Sequence, residues 1–462
     1  MTLRHIIVGG GPVATNAIES IRAFEDSESQ ITLVCDEPAH SRMALPYWLA
    51  DQIPREQTYT ADDDFYKRLN VDARIPERVA SIDAQGQSVR LASDETLDFD
   101  RLLIATGSSP ASPPIPGLDL PGVQPLWSLA HTESLLQATE SLEKPRVLMI
   151  GAGFIGFIML NAMYKRGWQL AVVERDRHVL PRMLDAPAAN MVQSWLTSRD
   201  VDLHCGTTVK SIQQGAGATK TVQLESGAAV EADIVIVATG IQPNLGLIDG
   251  SGIDTEEGIV VNKRLQTNFE NVFAGGDAAQ GPVLHSDQLA MHPVQPTAVD
   301  HGRVAGANMA GAEIDYPGSL LMNVLDVCGL QCASFGNWSD SSAEAMTISN
   351  PDGHVYRNML WHDDNMTGAI FIGRAGDLGM LTDVGMVKGI MQTATPFGEW
   401  KTFVKQNPFD IRRPFTALKV AQKLVGTTLL GRPAQPRQYR FGDRPAVVPK
   451  NDHHQVYVST KS

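Results

Sequence analysis

One local pattern occurs twice in this chain, and the repetition constrains the fold more than any other feature. A short apolar run, Ile6-Ile7-Val8, leads into Gly9-Gly10-Gly11-Pro12-Val13-Ala14. A helical pattern follows through Phe24, and a second apolar run, Ile31 to Val34, ends at Asp36 and Glu37. About 140 residues later, Val147 to Ile150 leads into Gly151-Ala152-Gly153-Phe154-Ile155-Gly156. A helix then runs to about Arg166, and Leu170 to Val173 closes on Glu174. The first glycine of such a turn bends the chain tightly, the second lets the backbone approach a pyrophosphate, and the third position lets helix lie close on strand. Those positions are Gly9, Gly11 and Ala14 in one copy and Gly151, Gly153 and Gly156 in the other. An anion placed there meets the unpaired N–H groups and dipole of the helix N-terminus. One such turn is a weak signal. Two in the same context, each followed by an acid, predict an α/β chain with two Rossmann-like dinucleotide-binding units.

The acids have a task of their own, since a carboxylate at the end of the second strand accepts hydrogen bonds from a ribose. Asp36, with Glu37 beside it, suits the first unit, and Glu174 suits the second. An acid also repels a 2′-phosphate, so Glu174 favours NAD(H), while Arg175 and Arg177 leave NADP(H) open. A chain of 462 residues is long enough for about three domains. The punctuation predicts a first unit over 1–117 and 241–317, a second over 118–240, a smaller α+β domain over 318–400 and a basic tail over 401–462. A Pro-rich linker through Pro110, Pro113, Pro114, Pro116 and Gly117 marks the first crossing.

Charge and cysteine content exclude several classes. The net charge is −14, which argues against general nucleic-acid binding. Four cysteines do not make a disulfide framework, and no metal site is expected. Cys328 and Cys332 read as two buried small side chains on one face of a strand. The run Val147 to Leu160 is apolar but only 14 residues long and holds three glycines, short of the roughly 20 residues of a spanning helix. No signal peptide is read at the N-terminus, and the expected location is cytoplasmic. The tail from Lys401 carries a net +9 against −23 for the rest of the chain, and Phe415 to Leu430 reads as one basic amphipathic helix. Such a helix docks on the acidic body or serves an acidic carrier or partner subunit.

Several further segments carry a family resemblance. They are Ala105-Thr106-Gly107, Pro113 to Gly117, Ala238-Thr239-Gly240 with Pro243-Asn244, Asn271 to Ala279, and Asp300 to Gly306. With the glycine turns, they resemble the FAD-dependent pyridine nucleotide–disulfide oxidoreductase superfamily. The closest likeness is to ferredoxin and rubredoxin reductases and to the flavin part of NAD(P)H nitrite reductases. The resemblance implies a glutathione-reductase-like fold, FAD on the first unit and NAD(H) on the second. It implies that Gly276 and Asp277 meet the flavin's ribityl or pyrophosphate region. Residues Val294 to Thr297, opening a helix, would face the flavin pyrimidine edge, Val79 would pair with adenine, and Arg42 would lie close to the flavin. His285, His292 and His301 lie near that helix, as packing or surface residues or as proton carriers.

Two departures from the family pattern bear on chemistry. Ser41-Arg42-Met43-Ala44-Leu45-Pro46-Tyr47 resembles the segment that holds a flavin-side cysteine in disulfide-reducing relatives, with Met43 in the cysteine's place. A thioether supplies no thiolate. A lysine–glutamate pair found near the flavin in relatives falls on Tyr47 and Ile158. The implied activity is hydride transfer from NADH to FAD, with electrons passed to a ferredoxin, a rubredoxin or a partner subunit. An oxygen-reducing NADH oxidase and a nucleotide-sensing flavoprotein subunit are the rival readings. A homo-oligomer is compatible with either.

Overall fold

A computed structural model of the chain describes residues 2–25, 29–425 and 429–430. The duplication is visible in the sheets. In the first, strands run in the order Val272–Ala274, Arg101–Ile104, Arg4–Val8, Gln30–Val34, Val71–Arg74, all parallel. In the second the order is Asp202–Cys205, Gln169–Glu174, Arg146–Ile150, Ile234–Val237, Val123–Pro125, again all parallel. The glycine strand is central in both. Even the register repeats: Val8 lies opposite Val34 and Ile104, and Ile150 lies opposite Val173 and Val237. Each unit also carries a three-stranded antiparallel sheet, Val79–Asp83 with its neighbours in one and Val209–Gln214 with its neighbours in the other. Strands buried on both faces read as continuous apolar runs, which is why Arg146–Ile150 resembled half a membrane span. It gives way to a turn and the helix Phe154–Lys165, and no helix among the described residues is long and apolar enough to cross a membrane.

The chain crosses between the units twice, at Ser108–Pro110 going out and Ile241–Pro243 returning. These two short strands pair antiparallel as one ribbon. Asn244 pins the ribbon, donating from Nδ2 to Thr106 O at 2.9 Å and accepting from the Ser109 hydroxyl at 2.7 Å.

A third sheet is antiparallel, in the order Met322–Val327, Leu330–Gly336, Asn365–Arg374, Val355–His362, Glu344–Asn350. Its two faces alternate with period two. Cys332, Tyr356, Ile370 and Ile372 join a core with helices Phe154–Lys165 and Ala186–Thr197 of the second unit. Phe335, Met359, Trp361 and Phe371 face the helix Leu378–Gln392 and the segments after it. The second unit is bound to this sheet by polar contacts too. Asp185 caps Ala186–Thr197 and also accepts from Tyr356 Oη at 2.5 Å and Asn358 Nδ2 at 3.2 Å.

Two expectations need correction here. Cys328 and Cys332 do not share a strand. Cys328 sits with Gly329 in a hairpin turn, at φ 52° and 90°, and Cys332 follows in the next strand. The segment after Phe415 is not one helix. Arg412–Ala417 and Val420–Val425 are separate, broken where Lys419 takes φ 55°. The apolar stripe is also split: Leu418, Val420 and Leu424 pack on the third sheet's helical layer, whereas Leu429 packs against the first unit. Residues 431–462 of the tail lie outside the described residues.

Candidate functional site

The two turns require glycine for reasons that differ by position. A Cβ on Gly9 would lie 2.2 Å from Ala105 O, and one on Gly151 would lie 2.4 Å from Ala238 O. Both residues have left-handed backbones, at φ 104° and 103°. Protein packing explains these two, and it explains Gly156, whose Cβ would come within 2.8 Å of Met149 Sδ. Ala14 holds the matching place in the first unit and is fully buried. Gly11 and Gly153 are different. A Cβ on either would meet no protein atom within 4 Å. Each is the N-cap of its helix, Pro12–Phe24 or Phe154–Lys165, so the open space lies where helix N–H groups emerge.

Capping supports the same distinction. Among the described helices of ten residues or more, Leu129–Thr139, Ala186–Thr197 and Leu378–Gln392 are capped by the side chains of Ser128, Asp185 and Asp377. The helices Pro12–Phe24, Phe154–Lys165 and Gln295–Met309 have no side-chain cap. Those three are the ones whose N-termini the sequence assigned to nucleotide or flavin. A missing cap leaves orphan N–H groups for another acceptor. The residues present therefore fit two bound dinucleotides.

The acids at the strand ends behave differently from each other. Asp36 is exposed and pairs with Arg78 at 2.6 Å, while Glu37 is 3.9 Å from His40 Nε2. Glu174 is buried. Its carboxylate accepts from Ala152 N at 2.7 Å and from Asp176 N at 2.9 Å, so it braces the second glycine turn from below. Val79 starts its strand next to a bulge. Gly107 and Gly240 are both left-handed, at φ 65° and 134°, and a Cβ on Gly240 would meet open space.

Around Asp277 the chain gathers groups from four segments. Ser108 Oγ donates to Asp277 Oδ2 at 2.7 Å, and Arg42 Nη1 lies 3.7 Å from the same oxygen. Arg42 Nη2 donates to Ser108 O at 3.4 Å. The Arg42 guanidinium stacks 4.4 Å from the Trp127 ring centroid, and Trp127 Nε1 donates to Ser108 O at 2.8 Å. Burial lowers the Arg42 pKa, and Asp277 opposes that shift. Ser108 and Trp127 had no place among the expected site residues. Ser108 directly follows Ala105-Thr106-Gly107 and lay one residue from detection, whereas nothing local marks Trp127.

Next to this cluster, Ser41 Oγ donates to Gln295 Oε1 at 2.8 Å, tying the Arg42 segment to the first residue of Gln295–Met309. Val294 is that helix's N-cap, and Thr297 is buried in its first turn. Met43 and Tyr47 are 40% and 52% exposed, unusual for such side chains. Tyr47 lies in Leu45–Leu49, which packs on Phe154–Lys165, the helix that carries the partly buried Ile158. His301 is buried in Gln295–Met309, and its Nδ1 accepts the Gly276 N–H at 3.1 Å. Burial pushes its pKa down to about 3, so the ring is neutral. His285 bonds the carbonyls of Met391 and Gln392 at 3.1 Å, a packing contact across segments.

The family profile described as pyridine nucleotide-disulphide oxidoreductase matches residues 3–302. The NADH-dependent phenylglyoxylate dehydrogenase subunit epsilon of Aromatoleum evansii is 30% identical over 387 residues, covering 82% of this chain and 91% of that one. Nitrite reductase (NAD(P)H) of Bacillus subtilis is 28% identical over 376 residues, covering 80% of this chain and 46% of the relative, so the chain spans about half of that protein. Among solved structures, the covalent putidaredoxin reductase–putidaredoxin complex matches with a TM-score of 0.80 at 21% identity, over 90% of this chain and 99% of the matched one. That likeness is one of fold. The profile spans both glycine turns and the Asp277 cluster, where the open cradles lie, and the chain belongs to the pyridine nucleotide-disulphide oxidoreductase family as an FAD-dependent NAD(P)H oxidoreductase.

Proposed function

We propose that this chain takes hydride from NADH and delivers electrons to a protein, either a small redox carrier or a partner subunit. When bound, FAD supplies the step that accepts a hydride and releases electrons singly or in pairs. The chain's own residues bind, orient and exclude. Gly11 lets the FAD pyrophosphate reach the N–H groups of Pro12–Phe24, Asp36 or Glu37 takes its ribose, and Val79 its adenine. Asp277, held by Ser108, faces the ribityl region, and Arg42 places positive charge beside the ring. The uncapped N-terminus of Gln295–Met309 points the N–H groups of its first turn, through Thr297, at the pyrimidine edge. Gly153 opens the same kind of cradle for NADH, and the Glu174 carboxylate keeps that turn in shape.

The uncapped N-termini of the three long helices Pro12–Phe24, Phe154–Lys165 and Gln295–Met309 carry this reading. Delivery to a protein is supported by Met43 in place of a flavin-side thiol and by the names of relatives. One relative is a subunit of an NADH-dependent dehydrogenase, and this chain covers 91% of its length. That coverage favours a partner subunit over a freely diffusing carrier. Stopped-flow mixing of the yellow holoprotein with NADH tests the first half, with rapid flavin bleaching expected. Reduction of an iron–sulfur protein several-fold faster than oxygen uptake is expected for the second half. Oxygen consumption that matches NADH oxidation would instead assign an oxidase.

A further inference from the structure

Trp127 stands outside every sequence motif, yet it touches the flavin-side cluster in two ways. Its ring carries the Arg42 guanidinium at 4.4 Å, and its Nε1–H donates to Ser108 O at 2.8 Å. The same carbonyl accepts from Arg42 Nη2, and the Ser108 hydroxyl donates to Asp277. Trp127 lies between the strand Val123–Pro125 and the helix Leu129–Thr139, and so follows the edge strand of the second unit's sheet. Asp277 follows the strand Val272–Ala274 of the first unit's sheet. Arg42 alone would be a long stem with many rotamers. Asp277 restrains one edge of its guanidinium at 3.7 Å, and the Trp127 ring covers its face. A planar guanidinium is well suited to that combination of edge and face contacts, and a lysine is not.

We infer that Trp127 is a positioning residue that holds the Arg42 cation beside the flavin and makes the flavin's redox balance depend on how the second unit is seated. The inference rests on the reading that Arg42 and Asp277 border the flavin. A fixed cation favours the more negatively charged redox form of a neighbouring group. Releasing Arg42 toward water weakens that effect, because solvent screens an exposed charge. The flavin midpoint potential should therefore fall when the ring face is removed.

The test uses the holoprotein and four variants: Trp127→Leu, Trp127→Phe, Arg42→Gln, and Trp127→Leu with Arg42→Gln. Midpoint potential and FAD dissociation constant are measured for each. Arg42→Gln is expected to lower the potential by about 30 mV, a tenfold shift in a two-electron equilibrium. Trp127→Leu should reproduce much of that fall, and the double variant should fall no further than Arg42→Gln alone. Non-additivity of this kind is the signature of one residue acting through the other. Trp127→Phe keeps a ring face under the cation and should move the potential by well under half as much. If the leucine variant fails to bind FAD, Trp127→Met, which also removes the ring face, takes its place in the cycle, alone and with Arg42→Gln. An unchanged potential and FAD affinity in Arg42→Gln would remove the site reading itself. A shift in Arg42→Gln, with Trp127→Leu either silent or fully additive to it, would overturn the positioning role and leave the site reading standing.

Discussion

Gly11 and Gly153 are the residues where function and local structure separate, because neither is demanded by protein packing. Gly11→Val should yield colourless protein, since the side chain fills the space through which a pyrophosphate must approach. The 450 nm absorbance after purification reads this directly, and normal flavin content would show that the first cradle is misassigned. Gly153→Val should keep its FAD but raise the KM for NADH by at least about tenfold, a loss of about 1.4 kcal/mol of binding. Glu174 does more than its sequence position suggested. Glu174→Ala should narrow the preference for NADH over NADPH, and it should also destabilise the fold by about 1–3 kcal/mol through the buried Ala152 N–H left without an acceptor. Paired urea melts and steady-state kinetics separate the two effects; a parent-like melt would show that the brace carries no weight. The sequence marked these positions because glycine turns and strand-end acids are local and periodic. It missed Trp127 and left the role of His301 open between packing and proton transfer, because their partners, Arg42 and Gly276, are distant in the chain and leave no period to read.

The helices and sheets differ in how plainly the sequence announced them. Pro12–Phe24 and Phe154–Lys165 appear where the patterns placed them. The hairpin turn at Cys328-Gly329 and the break at Lys419 were not legible, since a left-handed cysteine or lysine has no compositional signal. The break matters to the C-terminal layer. Val420 is fully buried, and Phe415, Leu418 and Leu424 pack around it on the helix Leu378–Gln392. Arg357, itself buried, pairs with Asp383 of that helix at 2.6 Å and donates to Pro408 O at 3.0 Å. Val420→Asp should therefore cost about 3 kcal/mol, the sum of lost apolar burial and an unpaired buried charge. Removing residues from 406 onward should lower the melting temperature while NADH still reduces a small artificial dye. A truncated protein with parent melting would assign this layer no structural role.

At the scale of the whole molecule, buried neutral histidines set an acid limit. Burial lowers the pKa of His301 to about 3 and also lowers those of His5, His131 and His292. In the unfolded chain these rings take up protons as pH falls through about 6.5. The folded chain resists that uptake, at His301 down to about 3. Stability is thus fully present above pH 6.5 and drains away below it, by about 1.4 kcal/mol per pH unit for His301, with the other three rings acting in the same direction. Urea midpoints at pH 7.5, 6.0 and 5.0 should show that decline, and His301→Asn, whose Oδ1 can take the Gly276 N–H, should flatten it by one proton's worth. A variant as pH-sensitive as the parent would mean that His301 is protonated in the fold. The ribbon of Ser108–Pro110 and Ile241–Pro243 has another consequence. Because the second unit leaves and returns along two paired strands, its ends lie about 5 Å apart. A segment with ends that close can be lifted out and another stitched in without any spacer. What resists such a transplant is packing away from the ribbon: Trp195 of the second unit donates to Val327 O and Cys328 O at 3.0 and 3.1 Å, and Leu45–Leu49 of the first unit packs on Phe154–Lys165. The joint is modular at its ribbon but not at these contacts, so a swapped nucleotide unit must bring matching surfaces for the third sheet and for Leu45–Leu49.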